Sequence, residues 1–63
     1  MAEGACAGID WAKDTHDVLV ADADGERLWA ETIPHNEAGI TKLCRTLITL
    51  KVTRVAVERP EGC

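Results

Sequence analysis

Tyrosine and phenylalanine are absent, and Trp11 and Trp29 are the only tryptophans. The two indoles can stack on bases, but with no other aromatic in the chain they are expected to pack against a sheet or a further domain. Basic residues are also short, with 7 Lys and Arg against 11 Asp and Glu for a net charge of −4. Phosphate neutralisation needs cations in excess, so this stretch is not the main grip on a nucleic acid. Acid enrichment does suit a metal site, because a bound divalent cation inverts the local field and lets a phosphate approach. The three cysteines, Cys6, Cys44 and Cys63, are odd in number and form no CxxC pair. That excludes a disulfide framework or a zinc knuckle and predicts reduced thiols. Cys6 and Cys44 fall on expected core faces and Cys63 on the surface. No apolar run is long enough to span a bilayer, and MAEGACAGID carries no basic segment followed by a long apolar stretch. The expectation is a cytoplasmic protein with no membrane partner.

What is present is a globular composition, 46% hydrophobic and 29% charged, in 63 residues. That length allows one small domain, which buries only about 60% of its unfolded surface and is marginally stable without help. Ala5 to Ile9 is a small apolar run ending at Asp10. Its lack of alternation predicts a central strand covered on both faces. His16 to Ala21, with Val18, Leu19 and Val20, predicts a second strand. Asp22, Ala23, Asp24 and Gly25 supply turn chemistry, and Arg27 to Ile33 follows as a third strand. The EF-hand spacing of glycine and closing acid is lacking around Asp22 and Asp24, so the hairpin turn is preferred to a calcium loop. Pro34 ends the third strand and Asn36 is the expected N-cap of a helix with Glu37 in its first turn. Ile40, Leu43, Cys44, Leu47 and Ile48 follow the 3.6-residue period. Val52 to Val57 is a fourth strand, returned by a helical crossover and hence parallel to an earlier strand.

The expected architecture is α/β, a partial ribonuclease H-like fold in the order β-β-β-α-β. Its mixed sheet has strand one central, strands two and three antiparallel on one side, and strand four parallel on the other. One sheet face lacks its cover, leaving an apolar patch that invites dimerisation. Asp10 and Glu58 both close apolar runs, so parallel neighbouring strands bring the two carboxylates to one edge, where they can share a divalent cation. The competing readings are a turn-capping Asp10 and a solvated Glu58 paired with Arg59 or Lys13. Lys13 is placed to approach a phosphate but reads first as a surface residue. His16 and His35, without zinc-ligand spacing, read as structural or solvent-facing.

The segments GIDWAKDTHDVLVADADGERL, IPHNEAGITKL and AVERPEG, in that order, resemble the N-terminal part of insertion-sequence transposases of the IS110 type, with a RuvC-like DEDD catalytic domain. The resemblance covers nearly the whole chain and makes residues 1–63 the N-terminal part of that domain. It implies that Asp10 is the first acid of the DEDD set and Glu58 the second, as catalytic and metal-binding residues for Mg2+ or Mn2+. The last two aspartates have no counterpart here, so the isolated chain is expected to be silent in DNA cleavage and strand transfer. Relatives of this type imply DNA as substrate, a structured guide RNA, homo-oligomers and a second domain with a serine. The family places a small or hydroxyl residue and a glycine soon after the glutamate, whereas this chain reads Arg59, Pro60, Glu61, Gly62. Two alternatives come from other classes. One is the first lobe of an actin-like sugar kinase or acetate kinase, disfavoured because Trp11, Ala12 and Lys13 replace the Gly-Thr or Gly-Ser phosphate loop. The other is a small non-enzymatic interaction module with a bare sheet face.

Overall fold

The computed structural model describes residues 4–58. Five elements follow one another: β1 (Ala5–Trp11), β2 (Thr15–Ala21), β3 (Arg27–Pro34), α1 (Glu37–Thr49) and β4 (Val52–Glu58). The sheet order is β3-β2-β1-β4, with β1 antiparallel to β2 and parallel to β4. This is the mixed α/β order expected of the partial ribonuclease H-like fold. Each strand runs slightly further than its apolar run suggested, and the extension matters at both acids: Asp10 and Glu58 lie within their strands.

Alternation divides the sheet into two faces. Ala5, Ala7 and Ile9 of β1, His16, Val18 and Val20 of β2, and Ile33 of β3 are buried beneath α1, which contributes Leu43. The opposite face carries Cys6, Gly8 and Asp10 of β1 beside Ala21, Leu19 and Asp17 of β2. Two expectations are corrected here. β1 is covered on one face only among the described residues, and Cys6 stands on the open one. Cys44 is exposed as well, because α1 turns Gly39 and Leu43 inward and leaves the flank of its apolar stripe outside. Ile48 on that flank is 76% exposed, and Val55 and Val57 of β4 are 45% and 54% exposed. The helix leans toward β3, so the β4 end of its own face is bare. Leu19, 47% exposed, is a large apolar side chain of the open face.

Turn chemistry accounts for the connections. The Asp22 carboxylate accepts the amides of Asp24 and Glu26, each at 2.9 Å, while Gly25 takes φ +86°. This is the hairpin turn expected there, with glycine where a left-handed residue is needed. Asn36 caps α1, its Oδ1 accepting the Gly39 amide at 2.7 Å. Asn36→Ala leaves that donor unmatched and should cost about 1 kcal/mol, read as a fall in Tm of roughly 4–8 °C. An unchanged Tm would mean that water replaces the cap without loss.

Candidate metal site

The position of each acid follows from strand register. Asp10 is the partner of Glu58 in the parallel β1–β4 pair and of Asp17 in the antiparallel β1–β2 pair. Asp17 is in turn the partner of Thr32 on β3. Four side chains thus form a row across the open face in the order Thr32, Asp17, Asp10, Glu58. Adjacent strands lie about 4.8 Å apart. Ligand oxygens on one Mg2+, at roughly 2.0–2.1 Å from the ion, are at most about 4 Å from each other. Neighbouring carboxylates in the row therefore have the reach to share an ion. Asp17 and Glu58 stand two strand spacings, roughly 10 Å, apart.

The acids are not equivalent. Asp17 is engaged, because the Thr32 hydroxyl donates to its Oδ1 at 2.7 Å. Asp10 and Glu58 make no side-chain hydrogen bond or ion pair among the described residues, where the one ion pair joins Lys42 to Glu31 at 2.7 Å. Lys13 therefore does not neutralise Glu58, and Arg59 lies outside the described residues. Nor does Asp10 cap the turn that follows it. That turn is held by Ala12, whose amide donates to the Thr15 carbonyl and to His16 Nδ1, both at 3.2 Å. Two hard oxygen donors, exposed and without partners among the described residues, fit a hydrated Mg2+ or Mn2+, which keeps most of its waters when bound by one or two carboxylates. No group of three or more potential ligands converges among the described residues.

A groove of about 380 Å3 runs along this face, lined by Gly8, Asp10, Asp17, Leu19, Ala56 and Glu58. Its floor is low because β1 contributes glycine and β4 contributes alanine at the same level of the sheet. A Cβ at Gly8 would meet nothing within 4 Å, so the groove, not packing, is what the missing side chain leaves open. Asp17, Thr32 and Gly8 were not singled out from sequence, although the inward parity of His16, Val18 and Val20 already requires Asp17 to face outward with Asp10.

His16 is structural, as expected, but in a specific way. It is completely buried, stacked on Trp11 with ring centroids 3.5 Å apart, and its Nε2 lies 2.9 Å from His35 Nδ1. Burial, followed by the neighbouring His35, lowers its pKa below the ordinary 6.5. Trp29 packs partly buried against the core, so both indoles serve packing.

The sequence profile of the DEDD_Tnp_IS110 family, described as "Transposase", matches residues 7–63. A relative from Sinorhizobium fredii (strain NBRC 101917 / NGR234), named "Putative transposase y4uE", is 29% identical over 62 residues, covering 89% of this chain and 17% of the relative. The chain thus spans about a sixth of that relative's length. No solved structure matches. No helix among the described residues is long and apolar enough to cross a membrane. With the profile extending from β1 through Asp10 and Glu58, the chain belongs to the IS110-type DEDD transposase family.

Proposed function

We propose that residues 1–63 are the N-terminal part of a RuvC-like DEDD catalytic domain, acting on DNA in the cytoplasm, in which Asp10 and Glu58 are catalytic acids that hold Mg2+ or Mn2+. The observation that carries this reading is the Asp10–Glu58 pairing in the parallel β1–β4 register. A divalent cation bound there supplies Lewis-acid stabilisation to a phosphodiester during cleavage and strand transfer. The chain's own contribution is positional. β1 and β4 set the spacing of the two carboxylates, while Gly8 and Ala56 keep the groove floor low enough for a phosphate backbone to lie against the sheet. Two carboxylates do not fix the pair of ions, about 3.5–4 Å apart, that in-line phosphoryl chemistry employs. In this reading further acids of the whole protein complete the site, and this chain alone is catalytically silent. The net charge of −4 supports a division of labour in which other parts of the protein grip the DNA and any structured guide RNA. Homo-oligomerisation is favoured by the bare apolar positions Leu19, Val55 and Val57.

The test is a Mn2+ titration of the 63-residue chain followed by paramagnetic broadening of backbone resonances. Broadening should centre on Asp10 and Glu58, and Asp10→Asn or Glu58→Gln should weaken binding by tenfold or more. Equal affinity in all three proteins, or broadening centred on Asp22 and Asp24, overturns the proposal.

A further inference from the structure

We propose that His16 and His35 form a proton-sensitive clasp that fixes the backbone immediately after Asp10, with His16 as a positioning residue for that acid. A backbone amide can only donate, so the Ala12 N–H at 3.2 Å makes His16 Nδ1 an acceptor. With the Ala12 N–H shared between the Thr15 carbonyl and His16 Nδ1, this geometry assigns the His16 proton to Nε2, which then donates to His35 Nδ1 at 2.9 Å. His35 is left with its own proton on Nε2, facing solvent. Every hydrogen-bonding position between the two rings is then used once, in one sense only.

A single added proton has no place in this arrangement. On His35 Nδ1 it confronts the His16 Nε2–H; moving that proton to His16 Nδ1 confronts the Ala12 N–H instead. Either route breaks a hydrogen bond of a completely buried ring, which is costly because an unmatched buried polar group loses its solvation without replacement. The ring also carries Trp11, stacked at an interplanar angle of 14°, so its displacement moves both residues that follow Asp10. The indole face itself favours an imidazolium, but burial works against the charge and prevails, consistent with the lowered pKa of His16.

The surroundings contain few competing charges. β1 presents Trp11 to the pair, and β3 presents Ile33 and, one position along the same face, Glu31. The Glu31 carboxylate is bound to Lys42 of α1. The β1–β2 turn contributes Lys13 and Asp14, with the Asp14 carbonyl accepting the His35 amide at 2.9 Å. Glu37 opens α1 just beyond His35. The charge that acts on His16 is that of His35.

The sign of the effect follows. In the unfolded chain His16 takes up its proton near 6.5, whereas in the folded chain it does so at lower pH. Stability from the clasp is complete above about 6.5 and is lost as pH falls through the folded value. The clasp does not depend on the metal reading, while its consequence for Asp10 does. The experiment is therefore run without divalent cations, so that the two ideas fail separately.

In the cation-free chain, ring 15N signals, the Ala12 amide and Trp11 fluorescence are followed from pH 8 to pH 4. The expected result is an Nε2–H tautomer for His16 at pH 8, and one midpoint below 6.5 shared by the His16 ring, the Ala12 amide and Trp11. The variant His35→Gln, at an exposed position, keeps an oxygen to accept from His16 Nε2 but takes up no proton. With the His35 charge that lowers the His16 pKa removed, its Ala12 transition should move to higher pH. An Nδ1–H tautomer, an Ala12 amide that does not follow the His16 ring, or an unmoved midpoint in His35→Gln each overturns the clasp.

Discussion

Gly39→Ala should destabilise the chain by about 3 kcal/mol or more, lowering Tm by roughly 12–24 °C. The sign is the reverse of what helix propensity gives, since alanine inside a helix is favoured over glycine by about 1 kcal/mol. Packing decides otherwise. A Cβ at Gly39 would enter hard contact with the Pro34 carbonyl oxygen and stand 3.0 Å from Ile33 Cγ2 and Pro34 Cγ. Ile33 is completely buried and Pro34 ends β3, so neither yields without moving the strand. The helix would have to lift instead, and α1 is the element that covers the core through Leu43. A domain of this size holds only about 3–9 kcal/mol in all, so the variant should be largely unfolded at 37 °C. Gly8→Ala is the matching control. Its Cβ enters open space, and strand glycine costs roughly 0.5–1 kcal/mol relative to alanine, so that variant should be slightly stabilised. If both variants behave alike, the close approach of α1 to β3 is not what selects glycine at position 39.

The order of elements was legible in the sequence because each was marked by strong local chemistry. Pro34 and Asn36 bracket the end of β3 and the start of α1, the Asp22–Gly25 turn separates β2 from β3, and a helical crossover leaves β4 no antiparallel option. The fate of Cys6 was not legible. In Ala5–Ile9 both parities are small or apolar, so the run does not reveal which residues a single covering helix will bury. Cys44 failed for a related reason: the apolar stripe of α1 is wider than the strip of sheet it contacts, and only the contact selects Gly39 and Leu43. The Asp10–Glu58 adjacency was legible as an inference from strand ends, and the register places the two residues opposite each other. The rest of the row needed the β1–β2 register to bring Asp17 beside Asp10. The His16–His35 contact joins residues 19 apart through a loop, and no periodicity encodes it.

Asp10→Asn should raise the Tm of the cation-free chain and abolish the further rise that divalent cations produce in the wild type. Three like charges stand on successive strands, with Asp10 in the middle and opposite both others. Like charges directly opposite in a sheet cost about 0.2–1 kcal/mol per pair, and removing the central one relieves two such pairs. The gain at low salt is therefore roughly 0.4–2 kcal/mol, and it should shrink as salt rises, because exposed charges are screened over about 10 Å at 0.1 M. Saturating Mg2+ or Mn2+ reverses the order. A cation that binds only the folded chain stabilises it by about 2.7 kcal/mol at a hundred times its Kd, and the variant has lost one of the two ligands. The melting curves of wild type and variant should thus exchange places as cation is added. Asp24→Asn makes the same change of charge in the β2–β3 turn, away from the row, and should leave the wild-type response intact. A carboxylate serving only as a solvated strand terminus predicts neither the crossing nor the difference between the two variants. An Asp10→Asn protein that melts below wild type without cation, or still responds to it as wild type does, means that the acids do not form a charged pair awaiting a metal.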